Sequence, residues 1–81
     1  MIEQIRAILK THGRLSTDPT TLPDTADLFQ AGMTSHASVN VMLALEGAFD
    51  VEFPDQMLRR DVFATISAIE AAVADLRGVD R

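Results

Sequence analysis

Apolar residues return at helical spacing in three stretches of the chain. Ile2, Ile5, Ile8, Leu9 and His12 form the first stripe, which predicts a helix from Ile2 to His12 with Gly13 as its stop signal. The last stripe, Ile66, Ile69, Val73 and Leu76, predicts a helix opening near Thr65. Between them the spacing predicts a helix from Ser35 to Phe49, with Ser35 as its N-cap and Gly32 permitting a tight turn just before it. A connector from Asp50 to Asp55 follows, with Phe53 facing inward. Pro54 then suits the first turn of a short helix from Asp55 to about Arg59. The stretch from Leu15 to Gln30 is rich in Ser, Thr, Asp and Pro, and reads as a long loop pinned to the core by Leu22, Leu28 and Phe29. Loops of this length are uncommon in compact domains and are often functional. Nothing alternates with period two, so no sheet is expected. The expected fold is all-α, one domain over residues 1–81: an antiparallel four-helix bundle with a short third helix and a long loop after the first.

The second helix has two apolar faces. Ser38, Val41, Met42, Leu45 and Phe49 share one sector of the helical wheel, while Val39 and Leu43 lie in another with His36 and Glu46. A surface helix needs one apolar stripe. Two readings account for the second: a central helix buried all round, which small domains rarely manage, or an exposed strip where a partner docks.

Composition narrows the function classes. At 81 residues the chain is too short to wall off a deep substrate cavity, which weighs against a free-standing enzyme. With no cysteine it has neither a disulfide framework nor a thiolate metal site, so any thiol it works with comes from a cofactor. Twelve acidic against seven basic side chains give a net charge of -5, which repels nucleic-acid phosphates and equally serves plain solubility. No apolar run reaches the length of a membrane span, and the N-terminus lacks a signal-peptide pattern. A cytoplasmic monomer that binds neither nucleic acid nor membrane is expected.

Ser35 is the candidate for chemistry. A helix N-terminus carries unpaired N–H groups and the positive end of the macrodipole, so a phosphate attached there is stabilised. The competing reading is a plain capping serine. His36 as a base for Ser35 fails on geometry, because neighbours at i and i+1 point in different directions on a helix. His12 and His36 lie far apart without clustered ligands, so no metal site is expected. Met33 either packs or reaches a partner, and Met42 and Met57 are apolar filler. Asp24 and Asp27 serve turns and caps. Arg59 and Arg60 form a solvated face, or else meet a partner or a phosphate.

The stretch from Asp27 to Phe53 resembles the centre of acyl carrier proteins and peptidyl carrier domains. The elements that match are Leu28 and Phe29 at the loop end, Gly32, Ser35, Val39, Leu45 with Glu46, Phe49, and then Pro54 with Asp55. Leu58, Phe63, Thr65 and Ile66 match the family's third-helix leucine and the Phe-x-Thr-Ile opening of its last helix. The resemblance implies an acyl-carrier-protein-like bundle in which Ser35 takes 4'-phosphopantetheine from coenzyme A through a phosphopantetheinyl transferase. The arm's thiol then carries an acyl or aminoacyl thioester from a loading ligase to a downstream transferase. It also implies that Met33, Thr34, His36, Val39, Leu43 and Glu46 meet those partners. Thr34 and His36 stand where the family usually has Asp and Leu, and Asn40 and Gly47 stand where many fatty-acid carriers are acidic. These departures point away from fatty-acid synthesis. The segment Ala31 to Val39 is similar to discrete carriers loaded with amino acids by ligases that resemble the catalytic core of seryl-tRNA synthetases. An unmodified interaction domain on the same scaffold is the alternative, and an independent enzyme is a remote third because no base, metal or cofactor cradle is present.

Overall fold

The computed structural model describes residues 1–78. Three α-helices carry the fold: α1 (Ile2–His12), α2 (Ser35–Phe49) and α3 (Ile66–Arg77). Single 3-10 turns lie at Pro19–Thr21, Asp55–Met57 and Arg60–Val62, and no strand occurs among the described residues. The all-helical expectation holds, as do the bounds of the first two long helices and the start of the last. The expected short helix from Asp55 to Arg59 does not form as an α-helix; two 3-10 turns span that region instead. The interruption follows from the backbone: Leu58 and Arg59, between the turns, leave helical dihedrals, with Arg59 extended at φ -125 and ψ 153.

Ile5, Leu9, Leu28, Val41, Leu45, Ile66, Ile69 and Val73 are fully buried and form one continuous core with Phe49, Phe53 and Phe63. Each such aliphatic side chain contributes about 1.5–3 kcal/mol relative to exposure. On α1 the buried stripe is Ile5 and Leu9, while His12 is exposed rather than on the core face. Gly13 ends α1, though in right-handed geometry. Its value is close approach, since a Cβ there would lie 2.7 Å from the Leu9 carbonyl oxygen. On α3, Thr65 caps the first turn by accepting from the Ala68 N–H at 3.0 Å.

The long loop is tied down by side chains. The Arg6 guanidinium donates to the carbonyls of Pro19 and Leu22, each at 2.6 Å. The Leu28 N–H donates to the Ala64 carbonyl, and the Ser67 N–H donates to the Asp24 carbonyl, which stitch the loop to the start of α3. The chain then turns at Gly32, whose φ of +114 is open to glycine and strained for other residues. A Cβ there would also press on the Ser16 backbone nitrogen at 3.2 Å. That turn delivers the chain to the start of α2.

Candidate functional site

Thr34, rather than Ser35, caps α2. The Thr34 hydroxyl accepts from the Ala37 N–H at 3.0 Å, with Thr34 in extended backbone. Ser35 is therefore the first residue inside the helix, exposed, and its hydroxyl has no hydrogen-bond partner among the described residues. This corrects the expected cap by one position and changes the chemistry. The hydroxyl at the head of α2 has no structural task, and the helix N-terminus lies beside it.

The core face of α2 is also rotated from the expected one. Ala37, Val41, Leu45 and Phe49 are buried, while Ser38 and Met42 are half-buried and turn toward a groove. The second stripe faces outward: Val39 is 51% exposed and Leu43 55%. Leaving a leucine half in water forgoes roughly 1 kcal/mol of burial. The reading of α2 as a helix buried on all sides is thereby removed, and the second stripe is exposed. His36 is exposed at the same end of the helix.

The structure gives two of the expected partner residues tasks within the chain. Met33 is 3% exposed and packs into the core, so its side chain offers nothing to a partner. Glu46 spends one carboxylate oxygen on the chain itself, accepting from the Phe53 N–H at 2.9 Å. That bond stabilises the connector after α2, where Asp50 takes the left-handed conformation at φ 54.

A groove of about 400 Å³ opens beside Ser35. Ser35, Ser38, Val39 and Met42 line it from α2, Leu58, Arg59 and Arg60 from the segment of 3-10 turns, and Phe29 and Phe63 complete it. Leu58 is 47% exposed, an apolar side chain spent on this groove rather than on the core. Arg60 lies over the Phe29 ring at 4.0 Å, a stack worth about 0.5–1 kcal/mol at an exposed site. Arg59 pairs with Asp61 at 3.1 Å. Sequence reasoning offered a phosphate contact as one option for the two arginines. It did not connect Phe29, Met42 or Leu58 to Ser35, since no local pattern joins those positions. A mostly apolar trough lined also by two arginines, with a free hydroxyl at its edge, suits a slender chain joined through a phosphodiester. No group of three or more His, Cys, Asp or Glu side chains able to hold a metal occurs among the described residues.

Residues 3–73 match the phosphopantetheine attachment site family, and the chain belongs to it. It is a carrier-protein homologue with a phosphopantetheine attachment domain. An aminoacyl carrier protein from Agrobacterium fabrum is 54% identical over 69 residues, covering 85% of this chain and 83% of that protein. The fold matches the carrier protein from Agrobacterium tumefaciens crystallised with an engineered Bradyrhizobium japonicum glycine:[carrier protein] ligase and AMP. That match has a TM-score of 0.87 at 52% identity, over 90% of this chain and 97% of the other. A solution structure of an Agrobacterium tumefaciens protein matches with a TM-score of 0.77 at 49% identity, over 96% of this chain and 94% of the other.

Proposed function

We propose that Ser35 carries the 4'-phosphopantetheine arm and that the cargo is an amino acid. The single observation that supports this most is the division of labour at the head of α2: Thr34 caps the helix and leaves the Ser35 hydroxyl exposed and unengaged. In the loading step Ser35 Oγ bonds to the phosphorus of coenzyme A that bears pantetheine. The bond from that phosphorus to the nucleotide half breaks, 3',5'-ADP leaves, and the serine proton passes to the transferase. The bound arm supplies the thiol on which the aminoacyl group rides as a thioester. The chain performs no reaction of its own; it presents the cargo.

Amino acid cargo is favoured by the aminoacyl carrier relative and by the ligase-bound structural neighbour. On this reading an amino acid:carrier protein ligase docks on the exposed strip of Val39 and Leu43, flanked by His36 and Thr34. The continuous core supports treating residues 1–81 as one carrier unit. The 3-10 turns at Asp55–Met57 and Arg60–Val62 stand for the short third helix of a four-helix carrier.

The test is intact mass after incubation with coenzyme A and a broad-specificity phosphopantetheinyl transferase. One phosphopantetheinyl group added to the wild type and none to Ser35→Ala is the expected result. A folded wild-type protein that two transferases leave unmodified refutes the reading in favour of a non-covalent interaction domain.

A further inference from the structure

Glycine is a poor helix former, because its backbone has the most freedom to lose. Gly47 nevertheless stands inside α2, ahead of the last turn's end at Phe49, and the fold gives no reason for it. Its φ lies outside the left-handed region, where a glycine would be required. A Cβ there would meet nothing within 4 Å, so no neighbour in the chain needs the space. The residue is exposed, one helical turn beyond Leu43 and two beyond Val39, on the outward stripe that begins at His36. That stripe also lacks charge. Glu46 is the one Asp, Glu, Lys or Arg among the 15 residues of α2, and its carboxylate accepts from the Phe53 N–H. In a chain of net charge -5, an exposed helix face of this kind stands out from the rest of the surface. Charged side chains are depleted at the centre of protein–protein interfaces, since burying them against a partner costs their hydration.

We propose that Gly47 is the position at which the loading ligase closes on the backbone of α2: an uncharged, apolar element of the ligase packs over Leu43 and into the space that a Cβ would fill. This rests on the reading that the ligase docks on the strip of Val39 and Leu43, which Gly47 continues by one turn toward the C-terminal end of the helix. Elements approach a helix axis more closely where the side chains at the contact are small. A side chain at 47 holds the ligase off the helix, and Leu43 then loses part of its cover as well. The glycine weakens α2 and strengthens docking, two effects that a single substitution drives in opposite directions.

The experiment uses wild type, Gly47→Ala, Gly47→Leu and Leu43→Ser, each already shown by mass to carry one arm, so attachment at Ser35 is settled beforehand. Melting temperatures are recorded, and loading is followed with a glycine:carrier protein ligase of the kind crystallised with the structural neighbour. Gly47→Ala is expected to melt roughly 2–8 °C higher than wild type, because alanine is the better helix former. Its loading kcat/KM falls by about tenfold, the low end of what one extra carbon costs in a close-packed contact. Gly47→Leu falls by a factor on the order of a hundred. Both losses lie in KM with kcat unchanged, because docking rather than chemistry is altered. A glycine with only a structural role would show no such opposition of stability and loading. Gly47→Ala and Gly47→Leu proteins that load within about twofold of wild type overturn the proposal, and so does a Gly47→Ala protein that melts lower. Leu43→Ser separates this failure from that of the docking strip itself. If it loses loading while Gly47→Leu does not, only the Gly47 contact is wrong; if neither loses loading, the strip is not the docking face and both readings fall.

Discussion

Two adjacent hydroxyl side chains begin α2, and the structure gives them opposite tasks, which a pair of alanine substitutions separates. Thr34→Ala removes the acceptor 3.0 Å from the Ala37 N–H and leaves that helix-end donor to water. Losing an N-cap of this kind costs about 1 kcal/mol, within a range of roughly 0.5–2. For a domain of this size that lowers the melting temperature by about 4–8 °C. Ser35→Ala removes a hydroxyl with no partner, at an exposed position inside the first turn, where alanine is the better helix former. Its effect on stability is within about 0.5 kcal/mol. The assay is urea unfolding followed by helical circular dichroism, run on both single variants and on the double variant. Fraying by one residue would let Ser35 take over the cap once Thr34 is gone. In that case Thr34→Ala alone falls at the low end of the range and the double variant costs more than the sum of the two. If Ser35→Ala destabilises as much as Thr34→Ala in the wild-type background, Ser35 is the structural cap and the argument for its free hydroxyl is refuted.

Leu43→Ser exchanges an exposed apolar side chain on the outer face of α2, so the melting temperature stays close to wild type. Loading by an amino acid:carrier protein ligase, followed as kcat/KM on holo protein, falls by about tenfold if Leu43 sits in the docking strip. Gly32→Ala forces a side chain into φ +114 and against the Ser16 backbone, and unfolding by denaturant should show a loss of about 1–3 kcal/mol. Asp18 accepts from the backbone N–H and then the hydroxyl of Thr20, which hold its carboxyl below the ordinary 3.8, with Lys10 adding a smaller pull. A depressed folded-state pKa means stabilisation that is present above 3.8 and fades as pH falls through the folded value. The stability gap between wild type and Asp18→Asn therefore narrows on acidification below 3.8, and a gap that widens there contradicts the assignment.

Periodicity and end signals are local properties, so the sequence by itself determined the three long helices. The stripes Ile5–Leu9 and Ile66–Ile69–Val73, the glycine after His12 and the threonine before Ile66 each act within a turn or two of their own positions. The run from Asp27 to Phe53 carried the family resemblance, and the helical wheel set Val39 and Leu43 apart as a second stripe while leaving its burial or exposure open. Tertiary structure decided the rest. Thr34 and Ser35 are both competent caps, and the path set by the Gly32 turn and the burial of Met33 selects Thr34. Ala37 displaces Ser38 from the core face because burial follows what packs against α2, whereas the helical wheel reports only direction along it. Between Asp55 and Val62 no apolar stripe holds the chain in a helix, and its 3-10 turns direct Leu58 and Arg60 across to α2. The groove at Ser35 is assembled from side chains 29 to 63, positions that no short-range pattern relates, so it exists only once packing has brought them together.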